Sequence, residues 1–286
     1  MLEALRALAW RETIRWFRSP FAVFASLIFP VMYLLLFGQA FNLGKLLGFI
    51  PGLTPTEAAM EAFRGAPNYF SYFSVGMVGF VAVTASLFLG ANVIFDKRLG
   101  FVKKTTAAPV PRFTIFGSRL IAGAFRPVLL GFLVLGMAAL LAYIPGFNGL
   151  TVNTQVTALG VVEIILALVS VSLAFSALFL AMGFLFESPE GYFGIVNLLN
   201  LPILFTSAAL YPTTTMPPWL QTISAFNPIT LAVNVMRLNL FASVSPVTGS
   251  DYYPYSALVY LGGSLAYSFG LVLLSFWIAQ RGLRPR

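Results

Sequence analysis

Long apolar runs alternate along this chain with short clusters of charge. The runs cover about 21–41, 69–95, 120–144, 157–186, 192–211 and 254–279. A bilayer core takes about 20 apolar residues per helix, and each run reaches roughly that length, so the pattern predicts six transmembrane helices. One stretch breaks the rhythm. From Glu190 to Arg237 there is no charged side chain, yet Pro202, Pro212, Pro217, Pro218 and Pro228 interrupt it. It is too long for one span and too broken for two. The reading that fits is a fifth span at 192–211, followed across 212–253 by a re-entrant pair of short helices on the outer side. Non-helical backbone survives at that depth only where protein or a water-filled cavity covers it. Asn227, Pro228, Asn234 and Arg237 also make 219–241 a poor seventh span.

The flanking segments carry their own signals. Residues 1–20 set Trp10, Trp16 and Phe17 among Arg6, Arg11, Arg15 and Arg18, which suits a helix lying in the headgroup zone. Its apolar continuation is too long for a signal-peptide core and lacks a small-x-small cleavage site. Pro20 marks the turn into the membrane, and Pro30 a kink within the first span. In the first external loop, Thr54-Pro55-Thr56-Glu57 reads as a capping box with proline at the first helical position, and Gly65 ends that short helix. No internal repeat or low-complexity linker divides the chain, so residues 1–286 read as one transmembrane domain.

Lys and Arg then set the orientation. With six spans, thirteen of them fall on one side, in the N-terminus, the 96–119 loop and the tail, against Lys45, Arg64 and Arg237 on the other. Positive charge collects in the cytosol, which places both termini there and predicts a multi-pass protein of the plasma or inner membrane. A full crossing at 219–241 would reverse this bias. Arg126 is left over. With Pro127 after it, the third span is expected to begin at the proline, leaving Arg126 to reach back to the cytosolic headgroups.

Composition narrows the chemistry. The chain is 59% hydrophobic and 9% charged, with a mean hydropathy of +0.88, where a soluble domain carries about 25% charged residues. It has neither Cys nor His, which excludes disulfides, thiol catalysis and His- or Cys-based zinc or haem sites. Nine scattered Asp and Glu residues offer no convergent oxygen cage for a hard cation. The net charge of +8 sits at the ends of apolar runs, as topology and anionic headgroups require, and does not point to nucleic acid.

The 96–119 loop is patterned as well as basic. Gly100 breaks the second span, Phe101 to Ala107 read as a short helix with apolar and basic faces, and Pro109 and Pro111 stop it. Composition alone reads as a topogenic basic loop, whereas the pattern suits a docking peg for a soluble partner. Here the sequence resembles a known family. The segments Asp96-Lys97-Arg98-Leu99-Gly100-Phe101-Val102-Lys103-Lys104 and Ala107-Ala108-Pro109-Val110-Pro111-Arg112 are similar to the loop between the second and third spans of type-2 ABC exporter permeases, particularly the daunorubicin-resistance and nodulation-factor export branch. Residues 197–237, with Tyr211-Pro212, Met216-Pro217-Pro218-Trp219 and Asn227-Pro228-Ile229-Thr230, look like that family's second hallmark. Arg11-Glu12 and Arg18-Ser19-Pro20 fit its interfacial helix. Thr105-Thr106 and Lys104 depart from it, standing where the family usually carries bulky aliphatics and an acidic residue.

The resemblance implies an all-α integral membrane protein with six transmembrane helices, an N-terminal interfacial helix, a cytosolic coupling helix between spans 2 and 3, and a re-entrant pair between spans 5 and 6. It implies the permease subunit of an ATP-driven exporter, dimerised with a second or related permease and served by two ATP-binding subunits. The chain has no G-x-x-x-x-G-K-[ST] phosphate loop, since Gly44-Lys45 continues with Leu46. ATP and magnesium are therefore expected on the partner, with no cofactor and no catalysis here. The expected ATPase contact comprises Asp96, Gly100, Phe101, Lys103, Lys104, Pro109 and Arg112, with Glu187 and Glu190 from the next cytosolic turn, where capping around Ser188-Pro189 explains the glutamates equally well. The expected outer gate comprises Pro212, Trp219, Asn227, Pro228, Asn234 and Arg237, with Arg237 at the right depth to pair with Glu163. Tyr33, Phe37, Phe80 and Phe88 are candidates for lining a route for a hydrophobic or amphipathic, drug-like or lipid-linked cargo. The alternatives are an ion-driven secondary transporter, which wants buried acidic or His relays and repeats, and a membrane-embedded lipid enzyme, which wants a convergent acid–base cluster.

Overall fold

A computed structural model describes residues 2–18, 20–40, 54–107, 110–152 and 156–282, and every regular element among them is helical. In chain order they are α1 (Leu2–Phe17), α2 (Pro20–Ala40), α3 (Pro55–Ala62), α4 (Tyr69–Arg98), α5 (Phe101–Ala107), α6 (Arg112–Leu141), α7 (Ala158–Leu185), α8 (Pro189–Phe205), a 3-10 turn (Thr213–Thr215), α9 (Pro218–Ala225), α10 (Pro228–Leu240) and α11 (Ala257–Gly282). Among them, α4, α6, α7 and α11 are long and apolar enough to cross a membrane. Two further apolar helices stand where the first and fifth spans were expected. These are α2, which contains Pro30, and α8, whose 17 residues rise about 26 Å.

The middle of the molecule is built on α7, which packs against α4, α6, α10 and α11. Lipid is as apolar as leucine, so close backbone approach and polar bridges hold such helices together rather than water exclusion. Both are present. At the α4–α7 crossing, a Cβ on Gly90 would lie 2.3 Å from the Phe179 carbonyl oxygen, and one on Gly183 would lie 2.5 Å from the Gly90 carbonyl oxygen. Only glycine allows the two backbones to meet there. Ser86 and Ser176 hydroxyls bridge the same pair at 3.1 Å. Between α7 and α11, Ser170 reaches the hydroxyls of Ser264 and Ser268 at 2.7 Å each. Ser275 donates to the Ala177 carbonyl at 2.6 Å. Each such bond is worth about 0.6 kcal/mol in a bilayer.

The local signals behave as the residues dictate. Thr54 and Glu57 form the reciprocal capping box, with Pro55 in the first turn of α3. This side-chain and backbone bonding to Thr54 holds the Glu57 carboxyl below its ordinary range. Gly65 follows at φ +92° and donates to the Met60 carbonyl, closing the turn as expected. α2 begins at Pro20.

Two expectations need correction here. The third span does not begin at Pro127. α6 runs unbroken from Arg112 through Pro127 to Leu141, and Arg126 is buried rather than extended toward headgroups. Its Nη2 donates to the Glu12 carbonyl at 3.1 Å, because α1 lies along α6 and covers that face. The fifth helix ends at Phe205, with Thr206 as its cap, short of the expected Tyr211. The backbone at 206–210 is instead tied to side chains of α4 and α10. The stretch 219–241, expected as two short helices, is not one continuous helix. It is broken at Phe226-Asn227 into α9, of 8 residues, and α10, of 13.

Candidate transport groove and basic docking helix

A cavity of about 1530 Å³ runs between α2, α4 and α8. On α4 it is lined from Tyr69 to Asn92, a rise of about 35 Å, which exceeds the roughly 30 Å of a bilayer core. Its walls are apolar and aromatic, and Tyr33, Phe37, Phe80 and Phe88 all border it. Tyr33 stacks on Phe37 with ring centres 5.2 Å apart, and Phe80 lies 5.3 Å from Tyr33. Sequence reasoning missed the polar groups in the wall, Asn92, Asn197 and Asn200. A signal existed, since Asn197, Asn200, Leu201 and Leu204 follow helical i, i+3, i+4, i+7 spacing and so share one face of α8. Among the described residues three charged ones border the groove, at opposite ends. Arg15 and Arg126 lie at the α5 end, and Glu61 lies at the α9 end.

The α9 end is a knot of backbone carbonyls and short polar side chains. Asn227 caps α10 by accepting from the Ile229 amide at 2.9 Å, while its Nδ2 donates to the Ile203 carbonyl at 2.8 Å and the Thr206 hydroxyl at 3.1 Å. Pro228 occupies the first turn of α10, where its missing N–H is not needed. The Thr230 hydroxyl accepts from the Ala208 amide at 3.0 Å. The Asn-Pro-Ile-Thr string thus sews the start of α10 to the end of α8.

Arg237 completes the knot and is 1% exposed. It does not pair with Glu163, whose carboxylate accepts instead from Asn239 Nδ2 at 2.8 Å. Arg237 Nη1 donates to the Ala208 carbonyl at 2.7 Å, and Nη2 to the carbonyls of Tyr72 and Ala209 at 2.9 and 3.2 Å. Its guanidinium carbon stands 3.3 Å over the Tyr72 ring. A charge at this depth costs several kcal/mol, and three carbonyls with a desolvated aromatic face offset it. Asn234 is buried on the same helix, beside Tyr260. Pro212 is buried, whereas Trp219 is 66% exposed on α9 beside Ile223 and Phe226.

Beyond this knot, Arg64 donates to the Thr213 hydroxyl at 2.8 Å and lies 4.6 Å over Tyr253. Glu61 accepts from Ser245 and from the Tyr252 hydroxyl. Burial first, and then the bond to Glu61, push the Tyr252 hydroxyl up to about 12.

The α5 end is built from charge pairs. Gly100 turns the chain at φ +70° and accepts from the Lys104 amide at 3.1 Å, so α5 starts directly behind α4, over the residues expected. Asp96 does not face solvent. It is 2% exposed and held by Arg119 at 2.8 Å and Arg15 at 3.4 Å. Neither arginine was foreseen, since their meeting depends on how α1 and α6 pack. Phe101 is half-buried beneath the Arg11 guanidinium, 3.7 Å from its ring centre. Lys97 points its amine at the carbonyls of Gly183, Phe184 and Phe186, at 2.9, 2.6 and 3.1 Å, capping α7 with a cation where its dipole is negative. Lys104 and Arg112 are exposed. Glu187 is exposed, and Glu190 lies 3.7 Å from Arg98. Ser188 also caps α8, with Pro189 in its first turn. The Lys103 side chain and the whole of Pro109 lie outside the described residues.

Membrane-length apolar helices, a groove as deep as a bilayer and a basic helix at its end define a multi-pass membrane transport protein. A family model described as ABC-2 type transporter matches residues 3–241, and the chain belongs to that family. Over 99% of its length it is 27% identical to "Putative transport permease ycf38" of Cyanophora paradoxa, covering 90% of that protein. It is 24% identical to nodulation protein J of Rhizobium meliloti (strain 1021), over 99% of this chain and 97% of that one. It is also 22% identical to the daunorubicin resistance ABC transporter permease protein DrrB1 of Streptomyces coeruleorubidus, over 80% and 71% of the two chains. Proteins of this family are membrane subunits whose ATPase activity lies on a separate ABC subunit.

Proposed function

We propose that this chain is the permease of an ATP-driven exporter whose cargo is a hydrophobic or amphipathic molecule, drug-like or lipid-linked. The observation that carries this reading is the groove. It is as deep as the bilayer, it is lined by aromatic and amide side chains, and it ends beside the helix α5. Such a wall offers dispersion contacts and a few orienting hydrogen bonds, which suits a solute partitioning from the inner leaflet. In this reading the six spans are α2, α4, α6, α7, α8 and α11, with both termini in the cytosol and α9–α10 as a re-entrant outer gate. At 13 residues, α10 rises about 20 Å and is too short to span. A second copy or a related permease closes the groove laterally. ATP and magnesium reside on two partner subunits.

Coupling runs through α5. Lys104, Arg112, Glu187 and Glu190 form its exposed rim, and Lys103 and Pro109 belong to the same loop. Asp96, Gly100 and Phe101 shape the surface from beneath. ATPase motion pressed onto α5 reaches α1 through Arg11 and α6 through Arg119.

The test uses proteoliposomes containing this chain and its ATPase, comparing efflux of labelled amphiphiles with and without ATP. ATP-dependent outward movement is expected, and flux driven only by a proton gradient would overturn the exporter reading. Changing Lys103 and Lys104 together to Glu should leave insertion intact and weaken ATPase recruitment or uncouple hydrolysis. Normal complex formation with normal export would remove α5 from the coupling path. Because the chain lacks cysteine, Thr248→Cys reports topology directly. Labelling by an impermeant thiol reagent in intact cells is expected, and labelling only after lysis would sink the six-span arrangement.

A further inference from the structure

At the α5 end of the groove, cytosolic in the orientation proposed above, the described residues carry more positive charge than they neutralise. Arg15 and Arg126 border the groove, and Arg11 and Arg119 stand nearby with two carboxylates, Glu12 and Asp96. Asp96 is held by Arg119 and Arg15, and Glu12 lies 3.6 Å from Arg11. Arg126 is left without a carboxylate partner among the described residues. A guanidinium has five N–H donors. Arg126 uses one, from Nη2 to the Glu12 backbone carbonyl, and its buried Nε has no partner. The residue is 7% exposed and borders the groove next to Trp16, whose ring lies 5.8 Å from the guanidinium carbon. Beyond it the described residues of the wall are uncharged as far as Glu61 at the opposite end.

A buried cation with spare donors, placed where an apolar groove begins, matches one kind of molecule. In a medium poorer than water, an anion beside it is held far more strongly than at a surface. The aromatic wall above it takes an acyl or aromatic tail. We infer that Arg126, with Arg15 alongside, seats the anionic head of an amphiphile, a single carboxylate or phosphate, whose tail lies along Tyr33 and Phe80. This rests on the groove being the cargo path. The head belongs either to an inner-leaflet phospholipid resident in the groove or to the cargo itself, and the chemistry of recognition is the same for both.

The experiment takes the full chain in phosphatidylcholine nanodiscs with three probes sharing one tail: 11-(dansylamino)undecanoic acid, its methyl ester, and the matching quaternary ammonium. The acid should bind about tenfold more tightly than either of the others. Arg126→Gln should abolish that preference while leaving the ester within about twofold, and Arg126→Lys should keep most of it. Equal binding of acid and ester by the unaltered protein would overturn the inference without any variant having to fold. So would an Arg126→Gln variant that weakens all three probes alike. Competition by added phosphatidylglycerol assigns the seat to a resident lipid, and ATP-driven movement of the acid with the ATPase present assigns it to cargo. If ATP moves all three probes at one rate, the exporter reading stands and the anion seat falls. If the acid binds selectively but ATP moves none of them, the seat stands and the exporter reading falls.

Discussion

Two arginines sit deep in this molecule at opposite ends of one groove, and their surroundings could hardly differ more. Arg237 donates to three backbone carbonyls and lies flat on Tyr72. Arg126 donates to one carbonyl and has only a distant aromatic neighbour in Trp16. The first is built into the fold, since two of its partners are carbonyls left behind where α8 stops short and the third belongs to Tyr72 on α4. The second lies between α1 and α6 with donors to spare. Each leaves its Nε without a partner, but Arg237 spends three bonds on the fold and acts as a pin, whereas Arg126 spends one and keeps donors for a ligand.

The largest effect should come from the pinned end. Arg237→Met removes three bonds to carbonyls in a dry site, leaving the Ala208 carbonyl only the Tyr72 hydroxyl at 3.0 Å, and hydrogen bonds to charged groups are worth roughly 1.5–3 kcal/mol each. A loss of about 3 kcal/mol or more is expected, read as a lower thermal midpoint in detergent. Arg126→Gln should cost about 1 kcal/mol, as befits the loss of one bond. Equal losses would erase the contrast.

A smaller effect should follow from Asp96→Asn, which leaves Arg119 and Arg15 facing a neutral amide. Breaking a buried ion pair in this way is expected to cost about 3 kcal/mol, reduced here because Arg15 remains half in solvent and the amide still accepts a bond. Its signature is local, namely faster tryptic cleavage within α1 while the α9 end stays protected. Cleavage that accelerates equally at both ends would mean the two are one cooperative unit.

The smallest effect is alkaline and belongs to the α9 end. The folded Tyr252 hydroxyl titrates near 12, above the ordinary value of about 10. A raised pKa contributes stability that is present below pH 10 and lost as pH rises toward 12. Hydrogen exchange around 243–252 should therefore quicken across that window, and Tyr252→Phe should flatten the dependence. An unchanged profile in the variant would shift the effect to another group.

Much of this was legible in the chain because it is local. The α3 capping box, the start of α2 at Pro20 and the span of α5 between Gly100 and the prolines each depend on residues within a turn or two. The sites went astray wherever a partner comes from far along the sequence. Glu163 lay at a plausible depth for Arg237, but charge and depth alone do not reveal that Asn239 takes the carboxylate or that α8 ends early enough to free the Ala208 carbonyl. Pro127 looked like a helix start because a proline usually is one. It is tolerated within α6, whose neighbouring face lies under α1, a packing no local pattern announces. Asp96 was assigned to a surface for the same reason, since its two arginines lie 81 and 23 residues away.

The serine bridge between α7 and α11 has a consequence for biogenesis. Ser170 leaves the ribosome nearly a hundred residues ahead of Ser264 and Ser268. During synthesis α7 must therefore enter the bilayer before the Ser170 hydroxyl can meet α11, and that hydroxyl finds its partners there only when α11 arrives. Until then the half-made protein carries an advertisement of its own incompleteness, a hydroxyl on the face that α11 will cover. A chaperone or membrane protease that samples lipid-facing polarity would see it, and release from that surveillance would coincide with the docking of α11.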